Sequence, residues 1–228
     1  MLPSSTVENY LKAIFLAEGR LPSGETLVPM GQLAVSLSVA PGTATTMVKA
    51  LAESGLVEYE PYNGVRLSPA GSRLAALVLR RHRLIEQFLV QIVGMRWDDV
   101  HDDAEQLEHV VSDRLIERID ELLGHPEVDP HGDPIPSRDG ELVRRQLETL
   151  LTCPVHTAVT LMQVADQDAA FLRFLESHDL KPGQSIEVEA RDEVSDSVRL
   201  KGPNGQSITI GTRAASKLLV QAQVPASR

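Results

Sequence analysis

The stretch of this chain that most constrains its fold runs from residue 101 to residue 109 and is rich in metal-ligand side chains. If the stretch is helical, His101, Glu105, Glu108 and His109 share one face, because residues three or four apart are neighbours on a helix. Glutamates stacked in this way repel each other. A divalent cation would remove that repulsion, and carboxylates with imidazoles form a ligand set for manganese, iron or zinc. The stripe therefore indicates a metal site, and the alternative is a solvated acidic face.

The net charge of −10 is distributed unevenly along the chain. Residues 76–146 carry 9 basic and 16 acidic side chains, whereas residues 1–75 carry 5 and 6. An acidic protein argues against nucleic-acid binding. The near-neutral N-terminal third, however, is compatible with a DNA-binding head beside an acidic middle that awaits cations.

The cysteine content and the hydropathy limit the cellular compartments in which we expect the protein to act. Cys153 is the single cysteine of the sequence, which excludes intramolecular disulfides and cysteine-based zinc clusters. We therefore expect a cytoplasmic protein. The longest apolar run, residues 74–79, is too short to cross a membrane, and the first residues show no signal-peptide pattern. We expect no membrane association.

The N-terminal third has the element order of a winged helix-turn-helix. Ser5 and Glu8 form a predicted capping box at the start of a helix over residues 5–18. Two further helices are predicted near residues 30–37 and 43–53, and Asn63-Gly64 predicts a hairpin after them.

On that fold the third helix enters the major groove of DNA. The candidate DNA-contacting residues are Ala40, Pro41, Gly42, Thr43, Thr45, Thr46 and Lys49, with Arg66 on the wing. They are mostly small, so we expect methyl and hydroxyl contacts to thymines and phosphates rather than bidentate guanine contacts. The alternative is a winged helix that contacts protein.

The rest of the chain divides into a helical middle and a β-rich end. A long helix with a wide apolar face, typical of a dimer core, is predicted from Pro69 to about Val93. Residues 125–140 contain four prolines and predict a rigid connector. Residues 141–151 predict a short helix, and period-two alternation from about residue 154 is typical of a small SH3-like β-barrel.

The order of these parts resembles the diphtheria-toxin-repressor (DtxR) family of iron- and manganese-dependent repressors, in its long three-domain form. The residues that carry the resemblance are His82-x-x-x-Glu86, the stripe from His101 to His109, and Pro130-His131-Gly132-Asp133-Pro134-Ile135-Pro136. The resemblance implies an α+β multidomain fold. Its expected parts are a winged helix-turn-helix domain (1–73), a helical dimerisation and metal-binding domain (74–141), a linker (142–153) and an SH3-like, FeoA-type β-barrel (154–224).

The resemblance also implies metal ligands by position. The implied primary site consists of Glu105, Glu108 and His109, with Asn9 in the place of the ligand from the first helix. The implied ancillary site consists of His82, Glu86 and His101, with Gln167 of the barrel as a further candidate ligand.

Two departures from the family pattern bear on the metal. Iron-type members have a cysteine and a methionine where this chain has Glu105 and Asn9, and oxygen ligands suit manganese better than soft sulfur does. We expect Mn²⁺, with Fe²⁺ as the alternative, although manganese-type members tend to have aspartate at Asn9. Some short members have a glutamate where Lys12 stands, so we expect no paired-metal arrangement here.

The function implied is that of a homodimeric transcriptional regulator and not of an enzyme. Loaded with metal, it would bind a palindromic operator in double-stranded DNA and repress metal-uptake genes, with no small organic ligand. One alternative is a metalloenzyme of the di-metal carboxylate type, which needs its Glu-x-x-His element twice. Another is a metal-free winged-helix regulator that senses a small molecule, against which the ligand stripe argues.

Overall fold

The computed structural model of this protein describes residues 4–22, 24–143 and 145–222. Its helices are α1 (Ser5–Glu18), α2 (Met30–Ser36), α3 (Pro41–Glu53), α4 (Pro69–Phe88), α5 (His101–Leu107), α6 (Asp113–Leu122), α7 (Ala169–Ser177) and α8 (Thr212–Ala215). Its strands are β1 (Val57–Glu60), β2 (Gly64–Leu67), β3 (Glu148–Thr149), β4 (Ala158–Val164), β5 (Ser185–Asp192), β6 (Ser197–Lys201), β7 (Ser207–Gly211) and β8 (Leu218–Ala222). Among these ranges, no helix is both long and apolar enough to cross a membrane.

The chain forms two compact units that interleave along the sequence. The first unit draws on Met1–His82, Glu105–Ile116 and Ile135–Val143. The second unit draws on Arg83–Ala104, Glu117–Pro134 and Arg144–Arg228. The first three residues of the predicted head and residues 223 and 224 of the predicted barrel lie outside the described residues.

The first unit contains the predicted winged helix-turn-helix. Helices α1, α2 and α3 precede the antiparallel β1–β2 hairpin, whose register ends at Glu60 opposite Gly64. Leu11 and Ile14 of α1 are completely buried, and burial of each such side chain contributes about 1.5–3 kcal/mol. The apolar spacing that predicted these three helices is therefore the spacing that builds their common core.

The start of α1 differs in detail from the prediction. Ser4, and not Ser5, is the N-cap, because its side chain accepts a hydrogen bond from the amide of Val7. Glu8 is buried, and its carboxylate hydrogen-bonds to His109. The predicted capping box is therefore wrong, since a tertiary partner occupies the glutamate.

The stripe is only partly helical. Helix α5 carries His101 and Glu105 but ends at Leu107. The amides of Val110 and Val111 both donate to the carbonyl of Leu107 at 3.0 Å, which closes a turn after the helix. Glu108 and His109 lie in that turn, just after the end of α5. The helix therefore ends two residues before the end of the predicted stripe.

The long helix has the predicted length but a different last turn. Helix α4 ends at Phe88, and residues Leu89–Val93 form a π-helical turn. Gly94 follows in the left-handed conformation, with φ of 81°, as a helix-ending glycine commonly does.

The second unit is built on one antiparallel sheet in the order β3-β8-β4-β5-β6-β7. Its core includes Trp97, Leu150 and alternate residues of the strands. No helix forms in the described residues of segment 141–151, where a short helix was predicted. Leu150 instead donates its amide to the carbonyl of Leu218 and is completely buried, so pairing with β8 overrides the local helical preference.

The proline-rich connector is attached to this sheet. The amide of Val164 at the end of β4 donates to the carbonyl of His131 at 2.9 Å. Gly132 has φ of 85°, and a Cβ atom there would lie 1.9 Å from the carbonyl oxygen of Met162. The close approach of connector and strand therefore requires glycine at this position.

We expect Gly132→Ala to destabilise the protein by about 1–3 kcal/mol more than Gly183→Ala does. Both glycines have a positive φ, but a Cβ at Gly183 meets nothing within 4 Å, so this variant isolates the backbone penalty. Urea unfolding followed by circular dichroism measures both changes. Equal destabilisation would contradict the tight contact between the connector and β4.

Candidate metal centre

Three ligand-type side chains meet in the first unit. His82 of α4, Glu105 of α5 and Glu108 of the following turn each offer one ligand atom, and these atoms all lie within 4.8 Å of one another. Glu108 is completely buried, and its Oε2 lies 2.6 Å from Nδ1 of His82. A buried carboxylate requires a compensating charge or hydrogen bonds. The sequence stripe predicted Glu105 and Glu108 together but assigned His82 to another site.

Helix α1 contributes a positive charge to this cluster. Nζ of Lys12 lies 2.6 Å from Oε1 of Glu105 and 2.6 Å from Oε1 of Glu108. The Lys12 side chain is only 9% exposed. Sequence analysis excluded Lys12 as a ligand but missed this ion pair. Its signal was the position of Lys12 one helical turn after Asn9, on the same face of α1.

His109 faces α1 from the same turn. Its Nδ1 lies 2.6 Å from Oε2 of Glu8, and Oε1 of Glu8 accepts a hydrogen bond from Arg81 at 3.2 Å. Its Nε2 lies 3.4 Å from Oε1 of Glu108 without forming a hydrogen bond. Glu8 therefore orients the imidazole so that the second nitrogen points towards the carboxylates. Sequence reasoning missed this role because it gave Glu8 to a capping box.

Two buried atoms of the predicted primary site have no hydrogen-bond partner among the described residues: Oδ1 of Asn9 and Nε2 of His109. An unsatisfied buried polar atom costs about 1–3 kcal/mol, so such atoms are rare unless they serve another purpose. Both are ligand-type atoms, and Nε2 of His109 lies 3.4 Å from the carboxylate of Glu108. The donor set of Asn9, Glu105, Glu108 and His109 therefore fits a hard divalent cation.

A second cluster of ligand-type residues lies in the second unit and is entirely buried. It consists of Glu86, Asp129 and His131. Nε2 of His131 lies 2.9 Å from the carbonyl oxygen of Trp97, and the two rings are stacked. A carbonyl only accepts, so Nε2 of His131 donates this hydrogen bond, and Nδ1 has no hydrogen-bond partner among the described residues. That Nδ1 lies 3.8 Å from Glu86 and 3.9 Å from Asp129.

The charges of this second cluster are incompletely balanced. Burial, and then the negative charges of Asp133 and Glu86, raise the pKa of Asp129 well above its ordinary value. Arg83 opposes this shift, with its Nε 3.6 Å from Asp129. The connector motif includes His131, but neither Asp129 nor His131 was predicted to be a metal ligand.

The other predicted ligands have the following positions. Nδ1 of His101 lies 3.2 Å from Glu86 within the second unit. Gln167 donates its side-chain amide to Asp133 at 3.3 Å and is not part of either cluster described above. The assignment of His82, Glu86 and His101 to one ancillary site stays a prediction.

The predicted DNA-contacting residues are at the surface of the first unit. Ala40, Pro41, Gly42, Thr43, Thr46 and Lys49 are exposed and Thr45 is half-buried. The hydroxyls of Thr45 and Thr46 donate to backbone carbonyls of α3, which leaves their methyl groups and lone pairs for contacts. Arg66 forms an ion pair with Glu58 across the hairpin, so it would have to exchange this partner to contact phosphate.

Three known family descriptions match successive parts of the chain. Residues 3–65 match "Iron dependent repressor, N-terminal DNA binding domain", and residues 68–137 match "Iron dependent repressor, metal binding and dimerisation domain". Residues 148–222 match the FeoA domain, which agrees with the predicted C-terminal module.

Curated relatives agree with these matches. The diphtheria toxin repressor of Corynebacterium glutamicum is 36% identical over 132 residues, which is 58% of this chain and 56% of the relative. The match therefore spans about half the length of that protein. The HTH-type transcriptional regulator MntR of Lysinibacillus sphaericus is 33% identical over 129 residues, which is 57% of this chain and 89% of the relative.

Solved structures resemble the whole chain. A manganese-dependent transcriptional repressor in complex with manganese is 37% identical, with a TM-score of 0.87, and the match covers 95% of this chain and 100% of that one. ScaR with bound Zn²⁺ is 31% identical, with a TM-score of 0.76, over 97% of this chain and 100% of that one.

We expect the stability of the metal-free protein to fall as the pH rises through the raised pKa of Asp129. The folded state favours the protonated carboxyl, so this contribution is complete below the ordinary value of 3.8 and is lost above the raised one. Asp129→Asn should remove the pH-dependent loss. Urea midpoints in chelator between about pH 4 and pH 8 measure it.

Asp139→Asn is the control for this measurement, because the side chain of Asp139 is 83% exposed. It should retain the pH dependence of the unsubstituted protein. A pH dependence that is the same in all three proteins would show that Asp129 is not held in its protonated form.

Proposed function

The chain belongs to the iron-dependent repressor family, and we propose that it is a metal-dependent, DNA-binding transcriptional regulator, a homodimeric repressor of metal-uptake genes. The observation that carries this proposal is the sharing of α1. This helix packs in the core of the DNA-binding head, its Lys12 contacts Glu105 and Glu108, and its Glu8 contacts His109. A metal ion bound at the cluster would therefore act directly on a helix of the DNA-binding head.

We assign the primary site to Asn9, Glu105, Glu108 and His109, with His82 as a further candidate because it contacts Glu108. When bound, a divalent cation supplies the positive charge that the two glutamates require. Glu8 holds His109 by its Nδ1, and this hydrogen bond fixes the tautomer that leaves Nε2 for a ligand.

We propose Mn²⁺ as the ion, with Fe²⁺ as the alternative. The support is the donor set, in which carboxylate and amide oxygens outnumber nitrogen and no sulfur takes part. Glu86, Asp129 and His131 are a second candidate site, supported by their complete burial and by the buried Nδ1 of His131, which has no hydrogen-bond partner among the described residues. The earlier assignment of His82, Glu86, His101 and Gln167 to an ancillary site stays a prediction.

Large apolar side chains at the surface support the homodimer. In the first unit Leu107, Val110 and Leu115 lie within nine residues of the sequence, and they are 37%, 77% and 50% exposed. Exposed apolar residues clustered in this way are typical of an interface. A two-fold dimer would present two copies of α3 to a palindromic operator, about 34–36 Å apart.

We propose no catalytic activity, no small organic ligand and action in the cytoplasm, where the DNA partner is accessible. A di-metal carboxylate enzyme requires two Glu-x-x-His elements, and the sequence offers one related segment. The protein would recognise its operator through Ala40, Pro41, Gly42, Thr43, Thr45, Thr46 and Lys49 of the α3 region, with Arg66 on the wing.

We expect Glu108→Gln and His109→Ala to abolish Mn²⁺-stimulated DNA binding. Each removes one proposed ligand, and Glu108→Gln also removes the charge that His82 and Lys12 contact, so that Lys12 keeps only Glu105 of its two glutamates. Fluorescence anisotropy with a labelled palindromic fragment from the protein's own promoter measures the binding, with Mn²⁺ and with chelator. Circular dichroism verifies that each variant is folded.

Glu121→Gln is the control, because Glu121 lies on α6 in an ion pair with Arg118 and outside both clusters. It should bind DNA as the unsubstituted protein does. If folded Glu108→Gln or His109→Ala kept the full metal response, the ligand assignment would be wrong. If the unsubstituted protein bound DNA equally with Mn²⁺ and with chelator, metal dependence itself would be wrong.

A further inference from the structure

Lys12 occupies the position between the two carboxylates that the proposed metal site requires. Its Nζ lies 2.6 Å from an oxygen of each, and these are the Oε1 atoms of Glu105 and Glu108. We propose that Lys12 is an internal cation that competes with the metal for these carboxylates and thereby sets the metal concentration at which the protein is loaded. This inference rests on the proposed function, because it concerns the same site.

The surroundings of Lys12 indicate that this pairing is a specific one. The Lys12 side chain is 9% exposed, and that of Glu108 is 0% exposed. The neighbouring carboxylate, Glu8, already has its own partners in Arg81 and His109. The charge of Lys12 is therefore directed at Glu105 and Glu108.

The competition follows from charge and space. Two oxygens that hold an ammonium group at hydrogen-bond distance cannot hold a second cation at the same point. A cation bound beside the ammonium would be repelled by it, and this repulsion is strong in a buried site. The metal therefore binds either against Lys12 or after Lys12 has left, and both routes weaken its affinity.

Lysine is suited to leaving such a site. Its ammonium group is a compact point charge on a flexible four-carbon stem, so it can withdraw to solvent without movement of the helix. An arginine at this position would form a planar, more rigid contact with the carboxylates. Lys12 thus keeps Glu108 paired in the metal-free protein and yields the carboxylates at sufficient metal concentration.

This role differs from a purely structural one in its consequence for affinity. If Lys12 only stabilised the fold, its removal would leave metal affinity unchanged or would weaken it through disorder. If Lys12 competes, its removal strengthens metal binding while it weakens the metal-free protein. The two effects have opposite signs and are measured separately.

The test compares Lys12→Met and Lys12→Arg with the unsubstituted full-length protein. Methionine keeps an unbranched stem without the ammonium group, and its thioether is a poor ligand for Mn²⁺. Titration calorimetry with a competing chelator measures the Mn²⁺ affinity, and thermal melts in chelator measure the stability of the metal-free state. Lys181→Met, which removes an exposed lysine paired with Glu176 in the second unit, is the control for loss of one positive charge.

We expect Lys12→Met to bind Mn²⁺ about tenfold more tightly or better, because the competing charge has been removed. Its metal-free form should melt at a lower temperature, because Glu108 has lost its buried partner. Lys12→Arg keeps the charge, so its affinity should remain at or below that of the unsubstituted protein. Lys181→Met should change neither quantity.

If the unsubstituted protein binds Mn²⁺ and folded Lys12→Met binds it equally or more weakly, the competition is disproved. If the unsubstituted protein binds no Mn²⁺ or Fe²⁺, the proposed function fails instead. If Lys12→Met is unfolded in chelator, Mn²⁺ is added and folding is followed by circular dichroism. Refolding at Mn²⁺ concentrations below those that load the unsubstituted protein supports competition, and failure to refold contradicts it.

Discussion

The first unit depends on neutralising one completely buried carboxylate, that of Glu108. Its two oxygens have different partners, since Oε1 faces Lys12 of α1 and Oε2 faces His82 of α4. Removal of one partner from a buried ion pair costs about 3–5 kcal/mol, because the remaining charge stays buried and uncompensated. The turn that carries Glu108 therefore contacts α1 through Lys12 and α4 through His82. A ligand that changes the charge at this point acts on all three elements.

The second unit also contains carboxylates that lie close together. Glu86, Asp129 and Asp133 are near one another, and Arg83 faces two of them. Burial, and then the negative charges of Asp133 and Glu86, raise the pKa of Asp129. In the first unit, by contrast, Lys12 lies between the carboxylates of Glu105 and Glu108.

The sequence predicted most elements whose stability is local. Helix α1 has the predicted bounds, and the hairpin turn at Gly64 follows the Asn-Gly signal. Predictions that depend on distant partners were less successful. Glu8 was assigned to a cap because its partner His109 is a hundred residues away, and residues 141–151 were assigned to a helix because Leu150 pairs with Leu218 only in the folded chain.

The candidate site shows the same division. The residue types of Glu105, Glu108 and His109 were sufficient to indicate a cation site, but not to show that α5 ends at Leu107 and that the last two lie in a turn. Lys12, Asp129 and His131 were overlooked because a single lysine, aspartate or histidine carries no signal until folding brings it to its partners. The family resemblance indicated the positions of the candidate ligands, and the structure identified the charged side chains that contact them.

The proposed metal site places an ion at Glu105 and Glu108, at the point where Lys12 now lies. Anomalous diffraction from crystals of the manganese-loaded protein, measured on both sides of the manganese absorption edge, tests this placement. We expect an anomalous peak at these two carboxylates, with the ammonium of Lys12 moved away from them. Manganese density elsewhere, with Lys12 still bridging Glu105 and Glu108, would contradict it.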